Sequence, residues 1–97
     1  MKIEADLLKN VHVLLHPVRY RIVELLAEKP MHINEVSNAL GEEKGLVSYH
    51  LLTLEEHGFL SCNYELSKHA GSTVKAIRKY RVTEKVGEVI LKLKMRI

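Results

Sequence analysis

The chain has one cysteine, one phenylalanine, two prolines and no tryptophan in 97 residues. A lone thiol, Cys62, excludes an internal disulfide and fits a reducing, cytoplasmic compartment. Aromatic residues make up only 5%, so a core must be built mostly from Leu, Ile and Val. No apolar run approaches the ~18 residues of a membrane span. Glu4 and Asp6 interrupt the N-terminus before the apolar region of a signal peptide can build. Repeats, low-complexity tracts and Gly/Ser/Pro-rich linkers are absent, which leaves one domain, 1–97, near the low end of what sustains a single core. Catalytic signatures are missing too: there is no phosphate-cradling glycine loop and no nucleophile with an evident base. The pairs Glu42–Glu43 and Glu55–Glu56 read as solvated charges, and the chain does not read as an enzyme.

Charge is unevenly spread. Residues 1–63 hold six Lys+Arg against nine Asp+Glu, and residues 64–97 hold nine against three, so the net +3 divides into −3 and +6. Between Ser67 and Thr83 stand Lys68, His69, Lys75, Arg78, Lys79 and Arg81 with no acid among them. A one-sided basic segment favours a polyanionic partner, nucleic acid before membrane.

Periodicity orders the elements. Ile3, Leu7, Leu8, Val11, Leu14 and Leu15 recur at helical spacing over 3–15 and stop before Pro17. Pro17 suits the first turn of a second helix, PVRYRIVELLAEK, closed by Pro30. A third helix, HINEVSNAL, ends at Gly41. The turn GEEK leads into a fourth, 44–57, in which Val47, Leu51 and Leu54 form an inward stripe and Gly58 the cap. Two short helices joined by about four turn residues form a helix-turn-helix pattern. After Gly58 the period becomes two. FLSCNYEL reads as a half-buried strand, AIRKYRV as a second, and SKHAGSTV between them as a hairpin tip. Thr83 opens a final helix over 83–97, with Val86, Val89, Ile90, Leu93 and Ile97 in one stripe and Leu91 and Met95 widening it. The expected order is α-α-α-α-β-β-α, mainly α with a small β-hairpin.

These segments together resemble the ArsR family of winged helix-turn-helix repressors. HPVRYRIVELL is similar to that family's entry into its second helix. INEVSNALGEEKGLVSYHLLTLEEHGFL is similar to its helix-turn-helix, and KYRVTEKVGEVI to its return strand and last helix. The resemblance implies a core over 17–82 and a homodimer joined through 3–15 and 83–97, with Leu7, Leu8, Val11, Leu14, Val89, Ile90, Leu93 and Ile97 at the interface. Both terminal stripes are wider than one chain needs, which agrees. It also implies a sequence-specific regulator of double-stranded DNA, acting as a repressor. Lys44, Gly45, Ser48, Tyr49 and Leu52 would face the major groove, with His50 beside them either orienting a phosphate or completing the packing. Lys68, His69, Lys75, Arg78 and Lys79 of the wing would lie on the backbone, with Arg19 and Arg21 as further candidates. Glu42, Glu43 and Leu52 depart from the family's pattern, because acids repel phosphate and Leu52 replaces a common cation. They favour an alternative, a winged-helix module that binds RNA or a protein.

No cofactor and no obligate metal are expected. The family's thiolate site would need Cys where His32 and Asn34 stand, and residues 83–97 hold neither His nor Asp. His12 and His16 have the i, i+4 spacing of a helical metal pair, but the helix should end before Pro17 and no third ligand lies near. Cys62 reads as a small apolar residue on the inward strand face.

Overall fold

The computed structural model describes residues 4–68 and 74–96, and only the backbone of Ser67 and Lys68. Five helices and three strands follow one another: α1 (Ala5–Leu14), α2 (Pro17–Glu28), β1 (Met31–His32), α3 (Ile33–Leu40), α4 (Lys44–Glu56), β2 (Leu60–Lys68), β3 (Val74–Val82) and α5 (Glu84–Arg96). The arrangement is a winged helix-turn-helix with one strand more than the expected order. β1 pairs antiparallel with β3 in the register Met31↔Tyr80 and His32↔Lys79, giving a sheet of order β1-β3-β2. Two residues are too few to show a period, so this strand left no sequence signal.

Local chemistry sets the boundaries. Pro17 occupies the first turn of α2, and His16 caps that turn by accepting the Val18 N–H at Nδ1, 3.2 Å away. Gly41 ends α3 at φ +67°, and Gly58 follows α4 at φ +80°. Both lie in the left-handed region that glycine enters at least cost. After Gly58 the chain folds back, with the Phe59 N–H donating to the Leu54 carbonyl at 2.9 Å. Thr83 ties the start of α5 to the same turn, its hydroxyl donating to the Gly58 carbonyl at 2.6 Å.

The core gathers around α4. Val47, Leu51 and Leu54 are fully buried, as are Ile22 of α2, Val36 of α3 and Phe59. Leu60 and Tyr80 close it at the base of the hairpin, while Leu7, Val13, Leu14 and Val89 continue it between α1 and α5. The Lys85 ammonium lies 4.9 Å from the centre of the Phe59 ring. The molecule measures 61 × 23 × 20 Å, so the hairpin and the terminal helices extend well past this centre.

That elongation corrects two expectations. The strand over FLSCNYEL is half-buried only at its root: Leu60 is buried and Cys62 partly so, but Tyr64 and Leu66 are 69% and 78% exposed. Beyond Cys62 the side chains of β2 from Asn63 to Leu66 are all exposed. The expected interface residues also divide. Leu7, Leu14 and Val89 are buried within the protomer and cannot be an outer surface. Val11, Ile90 and Leu93 are partly covered, Leu8 is exposed, and Ile97, like Ile3, lies outside the described residues. Among the described residues, the large apolar side chains left exposed on the two helices are Leu8, Leu91 and Met95, with Leu15 exposed at the C-cap of α1.

Phe59 is the only phenylalanine and has no exposed surface. Phe59→Ala should cost about 3–5 kcal/mol, a large share of the ~5–15 kcal/mol that holds a small domain folded. Urea denaturation should show the midpoint collapsing with little change in slope.

Candidate nucleic-acid interface

One face of α4 is spent on the core and the other is bare. Lys44, Gly45, Ser48, Tyr49 and Leu52 are all exposed, Tyr49 at 60% and Leu52 at 52%. This outcome follows from the helical period: with Val47, Leu51 and Leu54 pointing inward, Ser48, Tyr49 and Leu52 must point away. A Cβ added at Gly45 would meet only the Glu43 carboxylate, at 3.7 Å. The fold itself therefore does not require glycine there.

His50 sits differently from its neighbours. It is 3% exposed, turned toward α2, and its Nδ1 accepts a hydrogen bond from Arg19 Nη1 at 3.1 Å. Arg19 is itself only 7% exposed, and its Nε donates to the Val13 carbonyl at 2.6 Å. The guanidinium thus joins the end of α1 to α4 from inside the domain. The expectation that Arg19 touches a phosphate is corrected by that burial, and His50 is buried beside it. Its ring lies 4.5 Å from that of His16 and 5.1 Å, edge-on, from that of Tyr49. Burial lowers the His50 pKa from the ordinary imidazole value, with His16 and Arg19 adding to the shift and Glu42 opposing it. His16 is lowered by burial, then by Arg19 and His12. Arg21 remains on the surface, donating to the Leu40 carbonyl at 3.3 Å with Glu42 3.9 Å away.

The wing's cations fall on two faces. Residues along a strand alternate sides, and the β2–β3 register sets Cys62 opposite Tyr80 and Tyr64 opposite Arg78. Arg78 therefore shares the Tyr80 face and reaches α4. Its Nη2 makes two bonds to the Glu55 carboxylate, at 2.8 and 3.0 Å, and its Nε donates to Cys62 Sγ at 3.0 Å. Those bonds, Cys62 first and then Glu55 against some desolvation, raise the guanidinium pKa further. Glu55 is thus a strut between α4 and the wing, not the free charge expected. Lys75 and Lys79 lie on the opposite face. Lys75 is exposed, and Lys79 pairs with Glu65 at 3.1 Å. The Lys68 side chain and all of His69 fall outside the described residues. Cys62 is an acceptor for Arg78 on a partly covered position, more polar in use than an apolar filler.

His12 and His16 are not on one helix, since α1 ends at Leu14 and His16 belongs to the cap of α2. Among the described residues no three His, Cys, Asp or Glu are grouped to hold a metal ion, and no helix is long and apolar enough to cross a membrane.

Residues 16–62 match the arsR family of bacterial regulatory proteins. No curated protein matches the chain significantly in sequence. Solved structures share the fold. One described as a "possible transcriptional regulator for arsenical resistance" has a TM-score of 0.69 at 21% identity, over 97% of this chain and 84% of its own. A homodimeric winged helix-turn-helix DNA-binding domain from Mycobacterium bovis, described as a possible ArsR-family transcriptional regulator, gives 0.68 at 22%, over 93% and 77%. HlyU from Vibrio cholerae gives 0.64 at 18%, over 95% and 90%. Identities this low speak for the fold. With the match over 16–62, they bear out the resemblance read from the motifs.

Magnitudes separate the two guanidinium sites. Arg19→Leu would leave His50 Nδ1 and the Val13 carbonyl buried without a donor and should cost about 2–4 kcal/mol. Glu55→Gln breaks a partly exposed pair and should cost less than about 1 kcal/mol. Denaturation of the two variants side by side checks the contrast.

Proposed function

We propose that this chain, which matches the arsR family through its helix-turn-helix, is a cytoplasmic transcriptional regulator that binds specific double-stranded DNA as a homodimer and acts as a repressor. The observation that carries the reading is the outer face of α4. Its inner face is fully committed to the core, yet Ser48, Tyr49 and Leu52 stand exposed beside a glycine the fold does not need. In a major groove Ser48 exchanges hydrogen bonds with base edges, Tyr49 packs on a thymine methyl or reaches a phosphate, and Gly45 permits close approach. Lys44, Arg21 and Lys75 supply backbone contacts, which position the protein without reading sequence. The paired Lys79 and Arg78 would have to exchange carboxylates for phosphates to join them. Lys68 and His69 of the basic segment belong to the same proposed footprint.

Two protomers join through α1 and α5 in this reading, with the exposed Leu8, Leu15, Leu91 and Met95 as the seam and the partly covered Val11, Ile90 and Leu93 beside it. No obligate metal is assigned, because the positions matching the family's thiolates are His32 and Asn34, and His32 is engaged with Glu35 at 3.3 Å.

A second reading, a module that binds RNA or a protein, is favoured by the carboxylates. Glu42 and Glu43 stand at the start of α4, and Glu55 and Glu65 neutralise two wing cations.

Selection of preferred duplexes from random DNA, followed by variants, distinguishes the readings. Ser48→Ala and Tyr49→Ala should each weaken the preferred duplex by about 1–3 kcal/mol and leave random duplexes almost unaffected. Lys75→Ala should weaken both alike and reduce the slope of log affinity against log salt by roughly 0.9. Equal, weak binding of every duplex, indifferent to Tyr49→Ala, would sink the DNA reading and favour the second. Light scattering should find a dimer at micromolar concentration, and Leu91→Glu should yield monomers with parallel loss of DNA affinity. A monomeric unmodified chain would refute the dimer.

A further inference from the structure

Beneath α4 lies a cluster that the DNA-binding reading does not use. The rings of His50 and His16 lie 4.5 Å apart, tilted by 40°, and each uses its Nδ1 as an acceptor: His50 from the Arg19 guanidinium at 3.1 Å, His16 from the Val18 N–H at 3.2 Å. A guanidinium and a backbone amide are donors only. Both imidazoles must therefore be neutral, with the remaining proton on Nε2. The next proton has only Nδ1 to go to. At His50 it would turn the hydrogen bond into two opposed N–H groups and set a second cation against Arg19. At His16 it would remove the cap of α2.

We propose that the Arg19–His50–His16 cluster makes the seating of α4 proton-sensitive, so that proton uptake below neutral pH loosens α4 and weakens its discrimination between DNA sequences. Arg19 acts here as a positioning residue, through His50. The seating depends on geometry alone, and only the clause on discrimination rests on the DNA-binding reading.

The charges around His50 mostly agree in sign. Arg19 on α2 and His16 at the junction of α1 and α2 oppose a proton, and His12 on α1 opposes one on His16. Tyr49, the neighbour on α4, meets the ring edge-on. Glu42, in the turn before α4, favours the charged form but is the smallest influence and also faces Arg21. A histidine whose folded pKa lies below its unfolded value contributes stability that is whole above about 6.5 and is lost as pH falls below it. Surface histidines do the reverse on DNA, since each gained charge strengthens binding to phosphate. The expected trend therefore has a sign that ordinary histidine titration does not share.

Histidine NMR titration and amide hydrogen exchange of the full chain, from about pH 8 to pH 5, test the seating. His50 and His16 should titrate below the ordinary imidazole value, and the amides of 44–56 should lose protection before those of β3. Titration at or above that value, or loss of protection across the whole domain at once, would overturn the proposal. Duplex anisotropy tests the consequence: the ratio of preferred to random affinity should fall roughly fivefold or more between about pH 7.5 and pH 5.5. In the double variant His50→Gln, His16→Asn, which keeps an acceptor at each site, that ratio should be flat. A variant with the same fall as the unmodified chain would also overturn it. Should the double variant not fold, the titration and exchange of the unmodified chain still decide. If no duplex is bound at any pH, the DNA reading fails while those two measurements continue to judge the seating of α4.

Discussion

The burial of a single stripe on α4 is the constraint on which the rest of this structure depends. Val47, Leu51 and Leu54 have no exposed surface, and α2, α3 and the root of the hairpin are arranged to cover them. In so small a domain few other residues are buried as completely, so no other element can serve as the centre. Once that stripe is committed, the helical period forces Ser48, Tyr49 and Leu52 outward. The bare face is thus a consequence of how the core is built.

Polar contacts refine what the apolar stripe begins. A stripe fixes which face is inside but allows a helix to rotate or slide by a fraction of a turn. The bonds from Arg19 to Val13 and His50 remove that freedom, since a buried guanidinium tolerates few geometries. Burying a cation without a carboxylate is costly. Here its compensation is two acceptors, the Val13 carbonyl and the neutral His50 imidazole, and that dependence couples the position of α4 to a proton.

The wing obeys a different economy. Its root is packed on Tyr80 and Leu60, but farther out only cross-strand pairs and the pleat organise it. Alternation sends Arg78 toward α4, where Glu55 holds it, and Lys75 and Lys79 to the other side. A basic run that is uniform along the chain is therefore sorted into a strut and a surface.

Much of this was legible in the sequence because it is encoded locally. Helix ends at Pro17, Gly41 and Gly58, the inward stripe of α4, the change of period at the hairpin and the exposure of Ser48, Tyr49 and Leu52 all follow from residues within a few positions of one another. What needed the tertiary structure lies between residues far apart in sequence. Arg19 and His50 are 31 positions apart, Arg78 and Glu55 are 23, and β1 exists only because β3 offers its edge. A sequence shows that an arginine is charged but not whether folding will bring acceptors around it. For the same reason Leu14 and Leu15 are indistinguishable in a stripe, although one is buried in the core and the other left on the surface. Local period and capping determined the elements and their faces, while long-range packing alone decided which charges are buried and which apolar residues remain exposed.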